Sequence, residues 1–442
     1  MKYLRGYLTA AIFGAIAWVL MQFGQRFTEL VDMVYPYVIR TVQTFLAEWT
    51  GGVDFCVWQL LAVALGVLIL ASVVLMVVLK WNPIQWLGWV AAVFAGIYML
   101  HTLAWGLNYY AGPLADDLRM DVSQYNLEEL TEAAEYYRDK ANALAEEVAR
   151  DSSGNVDFAD FDALAAMAGE GFQTLVYDHS YPIFAGSTLP VKELGWSDMY
   201  TSMGITGVTF GLTGEAAVNP QIPDVTLPFT MCHEMAHRMC IAPERDANFA
   251  AFLACSVHEN VEFRYSGYFM AFRYCYNALA GVNTQAASAA TARVANGISD
   301  QLKKDMNAYN EFFSSHKDTV ATSIADTAND TYLKVSGDAS GIASYGEVCD
   351  LLARDLQYYD QFFHSNRDEK ATELADTVND TYLKTSGESA GIASYGQVCD
   401  LLVNWHIQQV VLPELTITIA PFDPYDETQV DLSGIVNAGG NG

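Results

Sequence analysis

At 442 residues with a formal net charge of −29, the chain is too long for one ordinary domain and has no basic footprint, which excludes nucleic-acid binding. Almost all of the acidic residues follow residue 110, so an apolar membrane part and a separate acidic, soluble part are expected.

Residues 6–24, 55–79 and 84–107 contain no Asp, Glu, Lys or Arg. Each run reaches the roughly 20 apolar residues needed to cross the hydrocarbon core, which predicts three transmembrane helices and the lipid bilayer as a partner. Lys2 and Arg5 precede the first run as in a signal peptide, but residues 19–26 offer no small-x-small cleavage site, so that run reads as an uncleaved anchor. Lys2, Arg5 and Lys80 orient the N-terminus and the second turn toward the cytoplasm. Three spans then leave everything after residue 107 outside, with Arg26 and Arg40 in the first outer loop. His101, inside the third run, is expected to find a partner between helices.

Trp105-Gly106-Leu107-Asn108-Tyr109-Tyr110 forms an aromatic collar suited to the membrane interface. Residues 127–150 and 157–177 carry Ala, Glu and Leu at helical spacing on either side of a Ser-Ser-Gly-Asn break, and residues 204–223 have the Gly, Thr, Val and Phe texture of short strands and turns. Helical pattern returns at Thr226. Thr331-Tyr332-Leu333-Lys334 recurs as Thr381-Tyr382-Leu383-Lys384, and Gly341-Ile342-Ala343-Ser344-Tyr345-Gly346 as Gly391-Ile392-Ala393-Ser394-Tyr395-Gly396. Two copies are too few for a solenoid, so a local duplication is the reading. The organisation expected is a three-span membrane region (1–110), a mainly helical α+β catalytic domain with a small sheet (111–309), a duplicated helical unit packed on it (310–413, copies 310–352 and 360–402), and a partly disordered tail (414–442).

Cys56 falls in the second span; Cys232, Cys240, Cys255, Cys275, Cys349 and Cys399 fall outside. Their spacing matches no small disulfide framework, so free thiols are expected, with Cys349 and Cys399, equivalent in the repeat, the one candidate bridge.

The chemistry concentrates in His233-Glu234-Met235-Ala236-His237. Two His four apart on a helix project from one face and can reach a single zinc ion, with Glu234 beside them to take a proton from a water at that ion. A helix fits here, since Thr226 can cap it, Pro228 sits in its first turn and nothing breaks residues 229–240. Catalytic zinc needs a third protein ligand and one open position. Glu244, in the first turn of a second helix starting at Pro243, is the best candidate, and Asn248 shares its face as an outer partner. His258 would lie about 20 Å further along that helix, out of reach. Cys240 continues the face of the two His and remains the competing ligand, in an arrangement that suits a structural site. Glu215 and Asn219 in the strand region, and Arg264, Tyr265 and Tyr268 after the second helix, are candidate substrate or transition-state contacts, beside the ordinary turn roles of the first two and the packing and surface roles that are the commoner reading of the last three.

These segments resemble a family of bacterial membrane proteins, domain-of-unknown-function family 3810. The likeness runs through the collar, Pro190-Val191-Lys192, Gly214-Glu215-Ala216-Ala217-Val218-Asn219, Leu227-Pro228-Phe229, the His-Glu-Met-Ala-His string, residues 244–249 and Tyr265-Ser266-Gly267-Tyr268. The family looks like the gluzincin branch of zincin-like metallopeptidases. That resemblance implies Glu244 as third zinc ligand and Asn248 as its outer partner. This chain departs from the family pattern at Asp246, where Glu is usual, and at Ala217, where Asn is usual. The expectation is a membrane-anchored zinc metallohydrolase, a peptidase holding one zinc ion on His233, His237 and Glu244 and acting on peptide or protein substrates at the outer face of a bacterial cell membrane. The competing expectations are a non-catalytic envelope protein with a structural zinc site and partner-binding repeats, and a hydrolase of cell-wall amides.

Overall fold

The computed structural model describes residues 4–119, 126–282, 284–316 and 318–336. Most of the expected duplicated unit, the pair Cys349 and Cys399 and the tail lie outside the described residues.

The chain opens with four long helices, α1 (Arg5–Arg26), α2 (Thr28–Thr50), α3 (Val57–Val78) and α4 (Pro83–Ala104). Of these, α1, α3 and α4 are long and apolar enough to cross a membrane, matching the three charge-free runs. Helices α1 and α4 run parallel and touch closely. A Cβ on Gly6 would stand 2.4 Å from the Gly88 carbonyl carbon, and one on Gly88 would meet the Tyr7 ring at 2.8 Å, so the two glycines let the backbones meet. At the far end Tyr110 fills the space over Gly24.

Helix α2 occupies what the sequence suggested was an outer loop. Its residues lack a charge-free run of membrane-spanning length and include Pro36, so no span pattern marked it. Its buried face carries Val31, Ile39, Ala47 and, unusually, Arg40, Gln43 and Thr50. These polar groups reach across to later segments: Arg40 Nε donates to the Met239 carbonyl at 3.1 Å, Gln43 Nε2 to the Gly211 and Ala104 carbonyls at 2.7 and 3.2 Å, and Thr50 Oγ1 to the Thr213 carbonyl at 3.3 Å.

The aromatic collar differs from its expectation. Residues Gly106–Tyr110 make a 3-10 turn, and Trp105 and Tyr110 are buried at 3% and 8% exposure. Surrounded by α1, α2 and the later domain, the collar joins protein to protein instead of facing lipid.

The remaining helices are α5 (Leu114–Asp117), α6 (Leu127–Ala145), α7 (Phe161–Met167), α8 (Glu170–Tyr177), α9 (Ser197–Ser202), α10 (Leu227–Arg238), α11 (Glu244–Ser256), α12 (Val261–Gly281), α13 (Gln285–Asn296), α14 (Asp300–His316) and α15 (Thr319–Ser336). The second expected helix, residues 157–177, is thus two, with Asp160 capping α7 through the Ala163 amide. Helix α6 starts with a capping box of Asn126 and Glu129 and lies along α12. Tyr137, Phe252, Phe263, Tyr265 and Phe269 fill the core between α6, α11 and α12.

Three strands, β1 (Lys192–Glu193), β2 (Gly207–Phe210) and β3 (Glu215–Val218), form a small sheet in the order β1-β3-β2. β3 is buried throughout, parallel to β1 and antiparallel to β2, with Val208 opposite Ala217. β1 is two residues long and has no period to read, so the texture of 204–223 revealed β2 and β3 alone. Glu215 ties this sheet to the membrane region. Its carboxylate pairs with Lys192 Nζ at 2.8 Å and accepts the Val57 and Trp58 amides at 2.7 and 2.9 Å, satisfying free donors at the start of α3.

Candidate metal centre

Helix α10 begins as the sequence suggested, with Thr226 before it and Pro228 in its first turn, but the Thr226 hydroxyl donates to the Pro223 carbonyl and does not cap the helix. Nearly every residue of α10 is buried, held between the sheet, α11 and α12; the Phe229 amide donates to Ser266 Oγ at 3.0 Å. At the end of α10 the chain reverses within five residues. Cys240 takes a left-handed backbone (φ 72°), and Pro243 is the N-cap of α11, which starts at Glu244, one residue later than the sequence suggests. The Ile241 carbonyl, carried by that reversal, lies 2.8 Å from His237 Nδ1.

The reversal brings Glu244 back over the two His. His233 Nε2 lies 3.2 Å from Glu244 Oε2, and His237 Nε2 lies 3.6 Å from Glu244 Oε1. One potential ligand atom from each of the three residues falls within 4.8 Å of the others. Zinc ligands at about 2.0–2.1 Å in a tetrahedron stand about 3.3 Å apart, so this donor set of two imidazoles and one carboxylate fits a zinc ion. The Ile241 carbonyl accepts from His237 Nδ1–H and leaves Nε2 facing the cluster, the outer-partner arrangement typical of metal-binding His. His237 also meets the edge of Trp105, ring centroids 6.4 Å apart.

Electrostatics within the cluster are mutual. Burial disfavours the charged form of His237, yet the Glu244 carboxylate beside it outweighs this and raises the ring to about 9. Burial pushes Glu244 up, but His237 and His233 hold it well below the usual carboxylate range.

Glu234 sits on the same helix with its carboxylate against the sheet. It is 4% exposed, and burial raises its pKa although both His lower it. Thr209 Oγ1 on β2 lies 2.7 Å from Glu234 Oε2 and 2.8 Å from the Glu234 carbonyl. Two residues earlier on the same strand face, Gly207 leaves the carboxylate its room: a Cβ there would stand 2.4 Å from Oε1. Thr209, Gly207 and Trp105 escaped the sequence reading because nothing local in a four-residue strand or an aromatic collar indicates which helix packs on it.

Asn248 accepts a hydrogen bond from the Tyr274 hydroxyl at 3.0 Å, while its Nδ2 is buried without a hydrogen-bond partner. Cys240 packs with Ile39, Trp105 and Ala242, and the three-residue group above does not include it. His258 stacks on Phe263 at 4.1 Å and faces the Met167 carbonyl. The other candidates have structural partners. Glu215 binds Lys192 and the start of α3; Asn219 Nδ2 donates to Thr201 Oγ1 and the Ile205 carbonyl. Arg264 donates to the His258 and Glu259 carbonyls, the Tyr265 hydroxyl binds Asp305, and the Tyr268 ring packs against Phe252 and Tyr137. Cys56, Cys232, Cys240, Cys255 and Cys275 are free thiols.

Fold and site together define a mainly helical protein with three helices able to cross a membrane and a convergent His-His-Glu cluster beside a buried glutamate. The family described as "Protein of unknown function (DUF3810)" matches residues 31–353 and again residues 351–403, and the chain belongs to that family. No curated protein and no solved structure matches it.

Proposed function

We propose that this protein is a membrane-anchored zinc metallohydrolase, a peptidase of zincin-like fold whose active domain stands outside the cytoplasm of a bacterial cell. The observation that carries the reading is the convergence of His233, His237 and Glu244 from two helices, next to Glu234, which pairs with no Lys or Arg among the described residues. A zinc ion bound there would supply Lewis acidity to a substrate carbonyl. Glu234 takes a proton from the attacking water and returns it to the leaving amine. Thr209 and the bare Gly207 keep its carboxylate in one place while it does so. The Ile241 carbonyl fixes the His237 ring, and Trp105 walls one side against water. Lys2 and Arg5, before the first span in the sequence, and Lys80, between the second and third, support a cytoplasmic N-terminus.

The test uses the full chain in detergent or lipid. The wild type is expected to hold about one zinc per chain and to cut members of a peptide library. Glu234→Gln keeps the metal and loses at least 100-fold in turnover, the order of a general-base contribution. Turnover unchanged in Glu234→Gln, or a wild type that binds no zinc, ends the proposal.

A further inference from the structure

Helix α2 is apolar on the side that a soluble helix would give to water. Its protein-facing side mixes Val31, Pro36, Ile39 and Ala47 with Arg40, Gln43 and Thr50, while its exposed side carries Leu30, Met33, Tyr37, Val38, Phe45 and Trp49. Met33, Phe45 and Trp49 are 69%, 65% and 70% exposed, and the stripe runs the length of a helix about 34 Å long. An apolar stripe of that extent marks a surface that water does not cover in the working molecule.

The position of α2 indicates its neighbour. Phe27 separates it from the end of α1, and residues 51–56 separate it from the start of α3. Parallel α1 and α4 leave the membrane on one side, where Gly24 meets Tyr110, and α3 starts on that same side, where Glu215 holds its first amides. Both ends of α2 are therefore fixed at one bilayer surface. The first half packs on the turn after α4, with the Tyr35 hydroxyl donating to the Leu103 carbonyl at 2.6 Å; the second half packs on the loop between β2 and β3. Its stripe is thus continuous in the chain with the lipid-facing surfaces of two spans.

We propose that α2 is a fourth membrane element, an interfacial helix that lays its Leu30 to Trp49 stripe into the bilayer surface and whose inner face holds the metal cluster there. Arg40 reaches the Met239 carbonyl just after α10, and Trp105, which follows α4, packs its ring against His237, so two struts connect the cluster to that surface. The charged residues flanking the stripe are Glu29, Asp32 and Glu48, with no exposed Lys or Arg within the helix. Insertion is therefore apolar and does not rely on anionic lipid, unlike the usual basic interfacial helix.

The experiment places the photo-crosslinking residue p-benzoylphenylalanine at Phe45 or Trp49 in the full chain, reconstituted as single copies in phosphatidylcholine nanodiscs, and identifies adducts by mass spectrometry. Leu68 of α3, 66% exposed, is the lipid-facing reference, and Glu132, exposed on α6, the aqueous one. The expected result is a lipid adduct at Phe45 and Trp49 within about threefold of the Leu68 yield, none at Glu132, and no more than about a twofold change when salt is raised. Lipid adducts at Leu68 but not at Phe45 or Trp49 overturn the proposal. So does a crosslink from either position to a second copy of the chain when discs are loaded with two. A variant that misfolds is recognised by loss of the cooperative melt, and Tyr37 then replaces it as the probe.

Discussion

Replacing Gly207 with Ala separates the proposed chemistry from the fold. The new Cβ would stand 2.4 Å from Glu234 Oε1 and 2.7 Å from its Cδ and Cγ. Non-bonded heavy atoms settle near 3.5–4 Å, so the carboxylate retreats by about 1 Å. The atoms met belong to the end of a flexible side chain, and the strand need not move. The stability loss is then about 1 kcal/mol, the low end for overpacking. Moving a reacting group by 1 Å costs on the order of 100-fold in rate, equivalent to about 2.7 kcal/mol of barrier. The atoms nearest that Cβ all belong to Glu234, so the proposed ligands His233, His237 and Glu244 retain their mutual distances. The assay measures three quantities on one preparation: zinc per chain, thermal midpoint, and turnover of whichever library peptide the wild type cuts. Full zinc, a nearly unchanged midpoint and a 100-fold slower turnover are expected. Turnover within twofold of wild type would show that the Glu234 carboxylate need not sit where Gly207 permits, and would refute the reasoning.

Glu244→Ala should abolish zinc binding while Cys240→Ala keeps it, because Cys240 packs against Ile39 and Trp105; metal analysis of the two variants decides, and the reverse pattern would favour a structural site. Glu215→Ala removes the charged partner of the Lys192 ammonium and the acceptor of the Val57 and Trp58 amides while leaving the ammonium its Thr50 and Phe55 carbonyls, so chemical denaturation should show a loss of about 3 kcal/mol, the low end for a broken buried pair. Asp117 is raised to about 6, first by burial and then by Asp32. Folded protein therefore binds its proton more tightly than the unfolded chain, and the sign of the linkage makes stability fall as pH rises from about 4 to 6. Asp117→Asn should lose that part of the fall, so melts at pH 5 and pH 7 should differ less in the variant than in the wild type.

Composition and spacing determined the parts of this protein that follow from short-range physics. Three charge-free runs became α1, α3 and α4, because twenty apolar residues have few folded alternatives. Two His four apart had to share a helix face, and Pro243 marks the start of a new helix at Glu244, which together put Glu244 within reach of both rings. The tertiary structure decided the rest. Helix α2 carries Arg40, Gln43 and Thr50 inward, and a pattern of that kind has no meaning until Met239, Gly211 and Thr213 come to meet them. β1 exists because β3 offers it an edge. The collar at Trp105 suggests a lipid interface by its composition, whereas the structure buries Trp105 against His237, since a Trp is equally at home in either setting and its neighbours alone choose between them. Gly207 and Thr209 hold the glutamate that the sequence singled out, yet they lie more than twenty residues before it, and pairing across that distance is a property of the packed chain.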